Sequence, residues 1–292
     1  MRFPAAAATA LVLAVSAHAQ PAPPATDGIH PRPKPVPIRA AKIVLVGDST
    51  MQANSGWGGS FCGYHVSSFI ACVNLGRGGR STYSYRAEGS WDLALAEMKT
   101  PGFTATYVLI QFGHNDQPGK PGRSTDLATE FPQNLRRYVA EARAAGAVPI
   151  LVTPLTRRQF KDGRLVRDLD AWGEAIRKVA AETRTPIIDL LRRSSDVVEV
   201  LGAAGSARFA QLPPSPEVAS AMLSGTTIAA NSGATAPGSA SAQNNAQVER
   251  FGDPKLSFDY THLGAAGADF FSKLVVDELA TAVPELRPQL IP

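Results

Sequence analysis

The chain has 292 residues, 44% hydrophobic and 18% charged, with 29 basic against 25 acidic side chains. That length and apolar content suit one globular domain with a full core. The balance is mildly basic, pI near 9.2, but no dense Lys/Arg run exists. A nucleic-acid partner therefore has little support, while a polyanionic substrate stays compatible.

In chain order, the first 19 residues differ from the rest. Arg2 is their only charge, residues 5–15 are apolar, and Ala17-His18-Ala19 precedes Gln20. A charged start, a short apolar run and a small-x-small site are the marks of a secretory signal peptide. The run is too short to span a bilayer comfortably, and no later stretch is long enough. A retained N-terminal anchor is the alternative. Cleavage removes one Arg and no acid, leaving 28 basic against 25 acidic residues, or +3. The expectation is a secreted or periplasmic protein with no membrane contact after cleavage. Export makes a disulfide between Cys62 and Cys72 possible. The small loop it closes would contribute roughly 2–3 kcal/mol on the chain-entropy model; two free buried thiols are the other reading.

Residues 20–40 form a leader, with seven prolines between positions 21 and 38. Such a stretch makes neither ladder nor helix and stays extended. From Ala41 on, short apolar runs alternate with amphipathic stretches. Strands are expected at 43–46, 71–74, 106–112, 148–153 and 186–190. Helices are expected at 58–70, 90–99, 125–145 (ended by Gly146), 169–183 and 264–281. Strands separated by helices pair in parallel through crossovers. The fold class is α/β: a three-layer α/β/α sandwich around a central five-stranded parallel sheet, with the ligand beyond the carboxyl ends of the strands. The domain spans 41–284, followed by a tail at 285–292. Residues 202–250 break the rhythm, and 218–248 carry no charge and are rich in Ala, Ser, Gly, Thr and Asn. They are expected to be a flexible surface insertion, with a lid or partner-binding segment as the alternative.

Four loops carry polar residues suited to chemistry. Gly47-Asp48-Ser49-Thr50 ends the first strand in a turn bearing a serine; read alone, it is also an N-capped strand-to-helix turn. A serine hydroxyl is a poor nucleophile until a base takes its proton. Asn74-Leu-Gly-Arg-Gly-Gly-Arg-Ser81 is dense in glycine, which suits close backbone approach to an oxyanion or a plain tight turn; it lacks the ending of a phosphate loop. Gln111-Phe-Gly-His-Asn-Asp116 follows the clearest strand. The Asn115 amide could donate to an oxyanion, and His114 and Asp116 read as its local hydrogen-bond partners rather than metal ligands. Asp259 and His262, three residues apart, can share a turn in which the carboxylate orients the imidazole.

The order of these loops resembles the SGNH (GDSL-like) hydrolase superfamily. Gly47-Asp-Ser-Thr-Met51, Gly56-Trp57-Gly58, Gly79-Arg80-Ser81, Tyr85-Arg86, Glu88-Gly89, Gln111-Phe-Gly-His-Asn-Asp116 and Asp259-x-Thr-His-Leu263 resemble the rhamnogalacturonan acetylesterase family. The resemblance covers about 41–201 and 251–282. It implies the flavodoxin-like SGNH fold, Ser49 as nucleophile, His262 as general base and then acid, and Asp259 as its orienter. It implies an oxyanion hole made by the N–H groups of Ser49 and Gly79 and the Asn115 amide. No cofactor and no metal are implied. The substrate would be an acetylated acidic polysaccharide or oligosaccharide, taken by a monomer, with Trp57, Arg80 and Arg86 as candidate substrate contacts. Arg77, Arg80 and Arg86 could meet galacturonate carboxylates or be structural loop charges. The rivals are a lipase-like or thioester hydrolase with the same triad and a non-catalytic glycan-binding module.

Overall fold

The computed structural model describes residues 36–230 and 256–292. The expected signal peptide, residues 20–35 of the leader and residues 231–250 of the expected insertion lie outside the described residues.

Side chains alternate across a strand, so a strand with both faces covered must be apolar at every position. β1 (Ala41–Gly47) and β3 (Thr106–Gln111) meet that condition at 43–46 and 107–110 and are buried throughout, with polar Lys42, Thr106 and Gln111 near their ends. Ile43, Leu45 and Leu109 join one apolar layer; Val44, Val46, Val108 and Ile110 join the other. β2 (Ile70–Asn74), β4 (Val148–Val152) and β7 (Ile187–Ile188) complete a five-stranded parallel sheet in the order β2-β1-β3-β4-β7. One face is covered by α1 (Gly58–Tyr64), α6 (Leu190–Ser206) and α8 (Ala265–Ala282). The other is covered by α3 (Ser90–Met98), α4 (Glu130–Ala144) and α5 (Asp170–Thr183). The three-layer sandwich is thus as the alternation implies. The chain moves from β1 outward to β2 and then crosses to β3 on the other side. β1 is followed by a helix on one face and β3 by a helix on the other, so the switch point where such sheets bind ligands lies between their carboxyl ends.

Several elements depart from expectation. α1 stops at Tyr64 instead of running to 70, because the next residues pair elsewhere: Val66 bridges Leu290 and Ser67 N–H donates to the Gln289 carbonyl (2.8 Å). His65 caps the helix by bonding the Phe61 carbonyl through its own N–H, and its ring reaches the Ile291 carbonyl and Asp269. The tail at 285–292 thus packs back against the end of α1, with Leu286 buried. Cys62 on α1 and Cys72 on β2 are disulfide-bonded, their Cα atoms 5.4 Å apart.

The largest correction concerns 202–230. The low-complexity insertion expected from 202 begins inside α6, which bends at Gly202. It continues through a 3-10 turn, Ala207–Phe209, and α7 (Pro216–Leu223), whose N-cap is the Ser215 hydroxyl. Val218 and Met222 enter the core, so the segment does bury apolar surface. It then docks on a hairpin that the sequence reading did not anticipate, β5 (Phe160–Lys161) and β6 (Arg164–Leu165). Thr227 N–H donates to the Phe160 carbonyl (2.9 Å) and Gly163 N–H to the Gly225 carbonyl (2.9 Å). A short helix, α2 (Ser84–Ala87), was also unanticipated. No helix among the described residues is long and apolar enough to cross a membrane.

Candidate active site

The turn after β1 carries Ser49 half-exposed between buried Asp48 and Thr50. Asp48 Oδ1 accepts from the Thr50 N–H (2.9 Å) and hydroxyl (2.8 Å), closing an Asx-type turn. Gln111, at the end of β3, donates to the same hydroxyl (2.5 Å) and accepts from the Trp57 indole (2.8 Å). Residues 56–58 press directly on the turn. A Cβ at Gly56 would stand 2.3 Å from the Thr50 carbonyl, and one at Gly58 2.2 Å from that of Met51. Only glycine allows that approach.

Ser49 Oγ lies 2.9 Å from His262 Nε2, and His262 Nδ1 lies 2.7 Å from Asp259 Oδ2. Asp259 Oδ1 accepts from the N–H groups of Thr261 and His262, both at 2.7 Å. Burial tends to raise the Asp259 carboxyl, but the imidazole and these two N–H groups outweigh it and bring it down to about 2. Asp259 thus stays ionised and fixes the imidazole with a proton on Nδ1, leaving Nε2 to accept from Ser49.

The Asp259–His262 turn hangs on a residue that sequence reasoning missed. Arg158, 1% exposed, follows β4 and lies beneath the turn. Its guanidinium donates to the carbonyls of Asp259 (2.9 Å), His262 (2.7 Å) and Thr261 (3.3 Å), and its N–H to that of Tyr260 (2.8 Å). Burial lowers this guanidinium to about 10, against the pull of Asp259. The Tyr260 hydroxyl donates to the Ile228 carbonyl (2.7 Å), tying the turn to the 225–228 segment. An isolated arginine beyond a strand offers no signal of this role in sequence.

The other expected oxyanion donors lie on the loops after β2 and β3, which Asn115 joins. Asn115 follows β3, is 7% exposed, and uses one amide hydrogen on the Arg80 carbonyl (3.1 Å). Gly79 has φ 76°. Among the described residues, the N–H groups of Ser49 and Gly79 have no backbone acceptor. Behind them, His114 Nδ1 faces Asp48 Oδ2 at 3.5 Å. Burial lowers the imidazole, opposing the Asp48 charge. Asp116 Oδ1 accepts from Thr82 and Thr125, and burial nevertheless raises this carboxyl to about 7. Among the described residues no group of three or more His, Cys, Asp or Glu is placed to hold a metal ion.

Three expected substrate contacts are corrected. Trp57 is fully buried and spent on Gln111. Arg80 is buried and forks onto Glu88 (3.0 Å to both oxygens) and the Gly78 carbonyl (2.6 Å). Arg86 forks onto Glu141 (2.9 Å twice) and stacks over Tyr138. A buried guanidinium needs a carboxylate partner, and each of these has one inside the protein.

Residues 45–270 match the family model described as the GDSL-like Lipase/Acylhydrolase family. The chain belongs to this family. It is 38% identical over 176 residues to the rhamnogalacturonan acetylesterase RhgT of Bacillus subtilis, covering 58% of this chain and 72% of that protein. It is 35% identical over 161 residues to the probable rhamnogalacturonan acetylesterase YesY of the same bacterium, covering 53% and 72%. It is a serine esterase with rhamnogalacturonan acetylesterases among its relatives. The solved Bacillus subtilis protein YXIM_BACsu superposes with a TM-score of 0.54 at 22% identity, over 84% of this chain and 57% of that one. A mutant of Axe2, an acetyl-xylooligosaccharide esterase from Geobacillus, superposes at 0.50 with 18% identity, over 84% and 96%. At these identities the likeness is one of fold.

Proposed function

We propose that this GDSL-like acylhydrolase is an exported carbohydrate acetylesterase that removes O-acetyl groups from rhamnogalacturonan by a Ser49-His262-Asp259 acyl-enzyme route. The observation that carries the reading is the unbroken Oγ···Nε2, Nδ1···Oδ2 relay at 2.9 and 2.7 Å. In this mechanism Ser49 Oγ attacks the acetyl carbonyl while His262 Nε2 takes its proton. The carbonyl oxygen becomes an oxyanion held by the N–H groups of Ser49 and Gly79 and the Asn115 amide. As the tetrahedral intermediate collapses, His262 gives the proton to the departing sugar oxygen, which leaves as the alcohol. Water, deprotonated by His262, then attacks the acetyl-enzyme, and His262 returns that proton to Ser49 Oγ as acetate leaves. Asp259, ionised down to about 2, stabilises the imidazolium at both steps.

The substrate class rests on the two relatives named as rhamnogalacturonan acetylesterases. Export rests on the N-terminal charged, apolar and small-x-small sequence, and the Cys62–Cys72 disulfide fits an oxidising compartment. The test is acetate release from a panel of acetylated polysaccharides, with residues 20–292 as the enzyme. Release is expected to be fastest from acetylated rhamnogalacturonan and to survive exhaustive chelation. Faster release from acetylated xylan, or hydrolysis confined to lipid or thioester substrates, contradicts the reading.

A further inference from the structure

The loop leaving Asn115 is rigidly built and carries cations that the reaction does not use. The Ser124 hydroxyl donates to the Gln117 carbonyl (2.8 Å) and that of Lys120 (3.0 Å), and accepts from the Lys120 N–H (2.9 Å). Thr125 N–H closes the loop on the Asp116 carbonyl (2.9 Å). Lys120 and Arg123 are held on this frame, both half-buried. Arg123 Nη1 reaches back to the Gly79 carbonyl at 3.4 Å, the peptide beside a proposed oxyanion donor. Arg157, immediately before the arginine that supports the His262 turn, completes the group. Among the described residues, the carboxylate paired within it is Asp168, which is engaged by Arg157 and by the Gln117 amide (3.2 Å). Among the described residues Lys120 and Arg123 have no carboxylate within ion-pair distance. Burial lowers the Lys120 ammonium, and the charges of Arg157 and Arg123 lower it further; Asp48 and Asp168 oppose this more weakly. A concavity of about 330 Å³ opens beside it, lined by Gly119, Lys120, Pro121, Gly122 and Ser124.

We propose that Lys120, Arg123 and Arg157 form a subsite for the carboxylate of a uronic-acid residue neighbouring the acetylated sugar. An anion entering here would relieve the repulsion between the unpaired Lys120 and Arg123, to which Arg157 adds in spite of its pairing with Asp168, and gain charge-assisted hydrogen bonds. The placement is specific to this group. Arg80 and Arg86 are already neutralised by Glu88 and Glu141, whereas the 117–124 loop offers charge that the protein itself leaves uncompensated. The subsite rests on the acetylesterase reading, since it selects among acetylated glycans for that same serine.

The test compares kcat/KM on acetylated rhamnogalacturonan oligosaccharides with kcat/KM on acetylated xylo-oligosaccharides, for the wild type and for K120A, R123A and the double variant. Loss of hydrogen bonds to a charged group predicts that the acidic-to-neutral ratio falls about ten- to hundredfold in the double variant, through KM on the acidic substrate. The wild-type ratio should also fall as salt rises. Equal losses on both substrates would make the loop a support for Gly79 alone and overturn the subsite, as would no loss on either. Calorimetry with unacetylated rhamnogalacturonan oligosaccharide reads the subsite without turnover: wild type should bind about tenfold tighter than the double variant. A wild type that hydrolyses neither substrate yet shows this binding difference would remove the acetylesterase reading and leave the subsite standing. Equal binding by both proteins overturns the subsite whatever the activity.

Discussion

Ser49 stands at the end of a strand buried along its whole length, whereas Asp259 and His262 stand on a turn that belongs to no strand. The serine turn is held from below by Asp48, Thr50 and Gln111 and from the side by Gly56 and Gly58, all close in sequence or on the adjacent strand. The histidine turn is held by Arg158 and Ile228, which lie more than a hundred and about thirty residues away in sequence. Both reach hydrogen-bond geometry, but one is fixed by the sheet and the other by the buried Arg158 guanidinium and a tie to Ile228. Damage to the two sides should therefore differ in kind.

Removing the groups that meet across this divide should cost most. Ser49→Ala and His262→Ala should each fold normally and lose on the order of 10³-fold or more in kcat, and the double variant little beyond either, since triad members act as a unit. On the sheet side, Asn115→Ala removes one oxyanion donor, and steady-state kinetics should show a loss of about 10²–10³ in kcat with KM nearly unchanged. On the turn side, Arg158→Met removes no reacting group but frees the three carbonyls of Asp259, Thr261 and His262. A displaced base predicts a loss of about 10²-fold in kcat, together with a weakened low-field signal for the His262 Nδ1 proton by NMR. If Arg158→Met lowers only the melting temperature, the turn positions itself and the contrast drawn here fails.

Much of the sheet side is legible in the sequence. The apolar runs of β1 and β3 must be strands covered on both faces, and the loops after them must lie at the carboxyl edge. The turn side was legible only as Asp-x-x-His. Arg158 is invisible because its partners are backbone carbonyls, which carry no sequence mark. The hairpin did leave a signal: Asp162-Gly163, both at positive φ (51° and 76°), is the pair a two-residue turn demands. The low-charge composition of 218–230 concealed Val218, Met222 and the Thr226–Ile228 contacts, because a few apolar residues and backbone hydrogen bonds anchor a segment that average composition calls loose.

Two smaller effects are expected. Replacing both Cys62 and Cys72 by Ala should lower stability by roughly 2–3 kcal/mol in denaturant titrations while leaving the triad geometry, which lies elsewhere, intact. The carboxyls on the two sides should respond oppositely to pH. Asp259, at about 2 when folded against an ordinary value of about 3.9, contributes stability present above pH 4 and lost as pH falls through 2. Asp116, raised to about 7, contributes stability that is complete below pH 4 and lost as pH rises through 7. Melting temperatures across this range should therefore flatten on the neutral side in Asp116→Asn and on the acid side in Asp259→Asn.

The central claim is that Ser49 is the nucleophile and His262 its base, and the most direct measurement is covalent trapping. A fluorophosphonate should modify the protein once, and peptide mapping by mass spectrometry should place the adduct on Ser49. The adduct should be absent from Ser49→Ala and form far more slowly in His262→Ala. An adduct on another residue, or a rate indifferent to His262, would contradict the account.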